Sequence, residues 1–233
     1  MKKIKLFTVG LCALTVFSCG NATGNGALIG TGAGAALGAI IGKIAGNTAV
    51  GAAVGGAVGA GTGAIIGRHM DKVKAQAQAV QNAKVEGYTD ANGLQGVKVT
   101  FDSGILFGTG SSTLQPAAKN SLTQFANNVL KVNTDCDVAV QGYTDNAGWK
   151  NSTAEQSYQK NINLSQQRAQ AVTNYLQSLG VSSNQIRSTT GFGEANPVAD
   201  NSTAAGKAQN RRVEVILYAS QSMIQAAEAG TLQ

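Results

Sequence analysis

A chain of 233 residues with a net charge of +6 can bury a sizeable core, but it has no Lys/Arg run of the kind that tracks a phosphate backbone, so no nucleic-acid partner is expected. Composition is uneven: most of the 30 glycines precede residue 68, and nearly all the aromatics follow residue 87. Segments so different rarely share one core, so a domain with an appendage is expected rather than one large domain.

Met1-Lys2-Lys3-Ile4-Lys5 is a basic leader, and the apolar run Leu6–Phe17 is shorter than the ~20 residues a bilayer span needs. The run ends in Val16-Phe17-Ser18-Cys19-Gly20, a small residue followed at once by cysteine, which resembles a bacterial lipobox. The resemblance implies a signal peptide over 1–18, cleavage before Cys19, and a lipidated, palmitate-type N-terminus over 19–25 that seats the protein on a membrane. An ordinary secretory signal with an incidental cysteine is the alternative. Losing Lys2, Lys3 and Lys5 roughly halves the net charge, and Cys136 is left without an intrachain disulfide partner. Asp135-Cys136-Asp137-Val138 reads as the start of a strand, with Cys136 a small packed side chain rather than a reactive thiol.

From Gly26 the glycines recur every fourth residue to Gly46, and after one five-residue step they resume from Gly51 to Gly67 with Ala, Leu, Ile and Val between them. On a helix this spacing stacks glycine on one face. Eleven glycines in helix interiors cost roughly 10 kcal/mol relative to alanine, which makes sense only where another backbone approaches the groove. Residues 26–67 are therefore read as two helices reversing at Asn47-Thr48. The pattern resembles the glycine-zipper domains of bacterial envelope lipoproteins, which implies a hairpin that returns the chain to the periplasmic side. A flexible Gly/Ala spacer is the alternative, and insertion in lipid and self-association into a homo-oligomer both stay open. His69, the sole histidine, falls where the second zipper helix is expected to end, as a solvated interfacial residue.

Residues 68–95 read as a connector. Met70, Val73, Ala77 and Val80 give a helical period, and Asp90-Ala91-Asn92-Gly93 is a turn between the alternating runs Val85–Thr89 and Leu94–Phe101. Over 96–218, strands are expected ending at Phe101-Asp102, over Asp137–Tyr143, Ile186–Thr190 and Arg212–Tyr218. Helices are expected over Pro116–Val132 and Ile162–Leu179. This alternation predicts an α+β fold, a βαβαβ-type mixed sheet covered by helices. Residues 219–233 read as a solvated tail holding a short helix.

The informative residues stand at the edges of these elements: Gly142-Tyr143-Thr144-Asp145-Asn146, Asn161-Ile162-Asn163-Leu164-Ser165-Gln166-Gln167-Arg168-Ala169, Gly191-Phe192-Gly193-Glu194, Asn201-Ser202-Thr203 and Asn210-Arg211-Arg212-Val213-Glu214. In this order they resemble the OmpA C-terminal-like domain over about half the chain. The resemblance implies non-covalent binding of peptidoglycan at a diamino acid of the diaminopimelate type, and hence tethering of the outer membrane to the wall. It places Asp145 on the ligand's ammonium and Arg168 on its carboxylate, where a planar guanidinium forks onto two oxygens as lysine cannot. It places Asn161, Asp102, Thr144 and Arg212 at or near the pocket. The bland readings stay beside these: an Asp145–Arg168 structural ion pair, Asp102 as a turn cap, and one of Arg211 and Arg212 packed against the sheet. Gly87-Tyr88-Thr89-Asp90 repeats part of a motif but reads as a hairpin coincidence.

Between Asp145 and Asn161 the chain carries roughly eight residues more than the commonest spacing in this family. Lengthening a surface loop costs only ~0.6 kcal/mol per doubling, so the pocket can persist beneath it. Trp149, the sole tryptophan, is either loop packing or a rim on which a sugar ring stacks. No enzyme is expected, since no Ser or Cys nucleophile has a base nearby, and neither a metal-ligand cluster nor a cofactor is expected. The alternative function is an oligomeric membrane or pore assembly driven by the zippers, with the C-terminal domain as its wall anchor.

Overall fold

The computed structural model describes residues 60–90 and 93–232. The signal peptide, Cys19, the first zipper helix and most of the second lie outside the described residues. Among the described residues no helix is long and apolar enough to cross a membrane.

Helix α1 runs over Ala60–Gln78 and is followed by the hairpin strands β1 (Ala83–Thr89) and β2 (Gln95–Asp102), then by the short α2 (Ser103–Leu106). Helix α3 (Pro116–Phe125) continues into a π-helical turn over Ala126–Leu130 and leads to β3 (Cys136–Gly142). The long α4 (Ala154–Ser178), β4 (Ile186–Gly191), α5 (Ala204–Asn210), β5 (Arg212–Ala219) and α6 (Gln221–Glu228) complete the fold. The sheet order is β1-β2-β5-β3-β4; β3 and β4 are parallel and every other pair is antiparallel. This is the α+β mixed sheet expected.

Strand alternation sends Val97, Val99 and Phe101 of β2, Cys136, Val138 and Val140 of β3, and Val213, Val215 and Leu217 of β5 into one core beneath the helices. The opposite face of the same strands carries Asp102, Asp137, Gln141, Arg212 and Glu214. Helix α1 closes the core with Ile66, Met70, Val73 and Ala77, all at most 1% exposed and at the helical spacing.

Three boundaries differ from expectation. The break expected after Gly67 is absent: α1 passes straight through Arg68 and His69, because Ile66 and Met70 bury on the same stripe on either side. Residues 68–95 are thus part of the domain, supplying one helix and the edge of the sheet. The C-terminal segment is docked rather than solvated, since α6 buries Met223, Ile224 and Ala227 in the same core and packs on α1. Helix α4 begins two turns before Ile162. Its N-cap, Thr153, forms a reciprocal capping box with Gln156, so much of the added sequence after Asp145 is helix rather than loop.

Strands β1 and β2 pair as the antiparallel hairpin that the sequence predicts. Asp90 Oδ1 accepts the Leu94 N–H at 2.8 Å, and Gly93 takes a positive φ of 82°.

Helix α4 lies directly on β3 and β4 at two glycines. A Cβ on Gly142 would stand 2.2 Å from the Ser165 carbonyl oxygen, and one on Gly191 would stand 2.1 Å from the Gln166 backbone nitrogen. Neither backbone can give way without moving the helix. Gly142→Ala and Gly191→Ala are each expected to lower stability by about 1–3 kcal/mol or more, while Gly148→Ala, with nothing nearer than 3.7 Å, stays within about 0.5 kcal/mol of the parent. Chemical denaturation followed by circular dichroism decides between these outcomes.

Candidate functional site

A cleft of about 670 Å³ opens at the carboxyl end of β3, between that strand end, the α2 segment and α4. Its lining includes Ser103, Gly108, Thr144, Asp145, Trp149, Lys150, Asn161, Arg168 and Arg211.

Asp145 stands three residues past the end of β3. The strand's line is carried on by backbone bonds, Tyr143 N–H to the Arg212 carbonyl at 2.9 Å and Thr144 N–H to the Gly193 carbonyl at 2.8 Å. The Asp145 carboxylate accepts the Ala147 N–H at 3.1 Å on Oδ1 and a charged hydrogen bond from Arg211 at 2.5 Å on Oδ2. Its structural ion pair is therefore with Arg211 and not with Arg168.

Arg168 is 4% exposed. Its Nε donates to the Ser111 carbonyl at 3.0 Å, its Nη2 reaches the Gly108 carbonyl at 3.5 Å, and its guanidinium stands 5.2 Å from the centre of the Phe107 ring. Among the described residues it forms no ion pair. Burial, and then the positive charge of Arg211, lower its pKa, with Asp145 opposing them. A cation held in this way gains from an incoming anion.

Asn161 joins the added segment to the rest. Its Oδ1 accepts the Trp149 indole N–H at 2.7 Å, and its Nδ2 donates to the Ala147 carbonyl at 3.2 Å and to Glu194 at 3.3 Å. Two hydroxyls of the lining, Ser103 Oγ and Thr144 Oγ1, are buried with no hydrogen-bond partner among the described residues, which is costly for a polar group unless a ligand or water completes it.

Four of the six residues expected at the pocket thus line this cleft: Asp145, Arg168, Asn161 and Thr144. Asp102 and Arg212 do not. They face each other across β2 and β5 on the sheet face opposite the helices. Asp102 caps α2 through the Gly104 N–H at 2.5 Å, the turn-cap reading of this residue. Arg212 is an internal strut: it pairs with buried Glu214 at 2.6 Å, donates to the Asn196 and Asn210 carbonyls, and stacks 3.8 Å from the centre of the Tyr143 ring.

Arg211 is the residue that sequence reasoning missed. The signal was present, because Val213 and Val215 must face the core, which sends Arg212 to the other face. The carbonyls that hold Arg168, from the 108–111 loop, carry no side-chain signal at all.

The remaining motif residues position the site. Ser165 Oγ accepts the Gly193 N–H at 2.8 Å, and the Gln166 side chain accepts the Gly191 N–H at 2.7 Å. Asn210 accepts the Val198 and Ala199 N–H groups and so pins the 196–203 loop.

Away from the cleft, His69, Asp135 and Cys136 bring one potential ligand atom each to within 4.8 Å of one another. The sequence reading anticipated no such group. His69 lies 3.4 Å from Asp135, so it is a half-buried partner rather than a solvated residue. Burial and the flanking carboxylates raise the Cys136 thiol, which opposes the thiolate a metal would need. A packed histidine–carboxylate contact beside an inert thiol accounts for this group.

Comparison with known proteins bears on the family and the fold. The model of the OmpA family matches residues 106–211, and the YMGG-like Gly-zipper model matches residues 1–71. The "Probable lipoprotein YiaD" of Escherichia coli K12 is 39% identical over 65% of this chain and 64% of its own length. The "Peptidoglycan-binding protein ArfA" of Mycobacterium tuberculosis is 42% identical over 48% of this chain and 32% of its own. The "Outer-membrane lipoprotein YfiB" of Pseudomonas aeruginosa is 36% identical over 54% of this chain and 68% of its own. The chain therefore spans about two-thirds or less of the relatives it matches. A MotB-like protein from Desulfovibrio vulgaris, 22% identical, shares the fold with a TM-score of 0.55 over 68% of this chain and 96% of that one. The chain belongs to the OmpA family.

Asn161→Ala removes the acceptor that fixes the indole. Because Trp149 is the sole tryptophan, its fluorescence reports the loop directly. The variant is expected to red-shift the emission and raise acrylamide quenching, at a stability cost of about 1–3 kcal/mol; unchanged emission would show that the hydrogen bond does not hold the loop.

Proposed function

We propose that this domain binds peptidoglycan without covalent chemistry, through Asp145 and Arg168, and anchors the outer membrane to the cell wall from a lipidated Cys19. The observation that carries this reading is the pairing in one cleft of a buried guanidinium that lacks an ion pair with a carboxylate whose own partner is replaceable. The side chain of Arg211 is 39% exposed, so it can swing aside while a ligand ammonium takes Asp145. A ligand carboxylate then takes the free edge of Arg168. An amino-acid head group presents these two charges on one carbon, and the centre of a diaminopimelate residue in a stem peptide is such a group. Asn161 and Thr144 contribute by shaping the wall and offering an unfilled hydroxyl.

The relative named as peptidoglycan-binding and the two named as lipoproteins, one of them of the outer membrane, support the same reading. The arrangement calls for binding and assigns no reaction. In this reading residues 1–18 are a signal, 19–25 the lipidated terminus, 26–67 the zipper segment, whose last residues are continuous with α1, and the domain works in the periplasm. The match to the Gly-zipper model favours a second, compatible role, in which the zippers drive assembly of several copies while the C-terminal domain holds the wall.

The full chain in detergent, mixed with insoluble sacculi and centrifuged, tests the reading. The parent is expected in the pellet, with Asp145→Ala and Arg168→Ala in the supernatant while still folded by circular dichroism. Arg168→Lys keeps the charge but loses the fork, and is expected to bind at least tenfold more weakly, the scale of ~1.4 kcal/mol. Asp102→Asn, which keeps an oxygen for the Gly104 N–H and removes only the charge, is expected to pellet like the parent. Retention of Arg168→Ala in the pellet would remove the guanidinium from the mechanism.

A further inference from the structure

We infer that the added segment after Asp145 builds a sugar subsite, in which the Trp149 ring takes the apolar face of an N-acetylated hexosamine while the neighbouring charged groups hold the attached peptide. This deepens the proposed function and rests on it.

The cleft is larger than one amino-acid head group requires. At about 670 Å³ it lies in the range that encloses a drug-sized ligand, roughly 300–1,000 Å³. Of its charged groups, Asp145, Arg168 and Arg211 account for the peptide end, and Lys150 is exposed. The wall formed by Ala147, Gly148 and Trp149 carries no charge, and nothing in the ion recognition uses it.

Trp149 is half-buried, and its polar needs are met within the protein. The indole N–H goes to Asn161, the backbone N–H to Ser157 Oγ at 3.0 Å, and Lys160 Nζ stands 5.8 Å from the ring centre. The ring is thus fixed before any ligand arrives and costs little ordering on binding. A tryptophan serving only to pack a loop would be buried, whereas Trp149 lines the cleft and keeps part of its surface open.

The axial C–H groups of a β-linked pyranose make one apolar face, which matches the electron-rich face of an indole. The two unpartnered hydroxyls, Ser103 Oγ and Thr144 Oγ1, add donors and acceptors suited to the amides that link sugar to stem. Together these favour a muropeptide, glycan and stem as one ligand, over the bare peptide.

The test uses the full chain in detergent and three soluble probes: a disaccharide–tetrapeptide muropeptide, the same tetrapeptide freed of sugar, and the disaccharide alone. Titrations are followed by calorimetry and by the emission of Trp149. The muropeptide is expected to bind the parent roughly fivefold more tightly than the free peptide, the scale of about 40 Å² of apolar surface removed from water, and to shift the indole emission where the peptide does not. Trp149→Ala should bring the muropeptide to the level of the free peptide while leaving peptide affinity intact, and Trp149→Phe, which keeps a ring but not the N–H, should retain part of the preference.

Equal affinity of the parent for muropeptide and peptide would overturn the sugar subsite while leaving the peptide reading in place. Loss of both ligands in Trp149→Ala would overturn it as well, by making the tryptophan a support of the cleft. Failure of the parent to bind any probe would overturn the subsite and the proposed function together.

Discussion

Everything that follows Asp145 in space depends on how closely helix α4 lies against the sheet. The missing side chains of Gly142 and Gly191 let the helix backbone at Ser165 and Gln166 sit on the strands themselves. That approach carries Arg168 and Asn161, on the same helix, over the end of β3 where Asp145 emerges. Ser165 and Gln166 then hydrogen-bond Gly193 and Gly191, so the seat is fixed by direction as well as by distance. A helix one side chain further out would carry Arg168 and Asn161 away from the end of β3.

The division of labour among the charged residues follows from strand parity. Successive side chains of β5 face opposite sides of the sheet. Arg212 and Glu214 share the face away from the helices and neutralise each other there, where both are almost fully buried. A buried pair is stabilising only when its remaining hydrogen-bonding capacity is filled, and the Asn196 and Asn210 carbonyls and the Tyr143 ring do this for Arg212. Arg211 precedes the strand and escapes its parity, which frees it to reach Asp145. Two adjacent arginines therefore do unrelated work, one holding up the loop side of the sheet and the other guarding the cleft.

The added segment is integrated rather than tolerated. Its second half lengthens α4 behind a capping box, and its first half is tied to Asn161 by two hydrogen bonds. Asn161 faces both ways: it lines the cleft and holds the wall that narrows it. In the proposed reading such a wall selects among ligands without touching the charged groups of the cleft.

Much of the fold was legible from the sequence, because strand alternation and helical spacing are properties of consecutive residues. The order of strands and helices, the Asp90–Gly93 turn and the core positions of β2, β3 and β5 all follow from those periods. The signal-like leader and the glycine ladder are local patterns too. The extent of the domain was not legible: whether α1 and α6 are appendages or walls depends on what covers Ile66, Met70 and Met223, and these meet only in three dimensions. The same holds for the site. Asp145, Arg168, Asn161 and Thr144 were readable as candidates because each stands in a compact motif at an element's edge. That Arg168 is held by the 108–111 carbonyls, that Asp145 pairs with Arg211, and that Asp102 and Arg212 lie on the far face were decided by tertiary structure alone. Backbone carbonyls have no signature in a sequence, and pairing between residues 66 positions apart is set by packing, not by spacing.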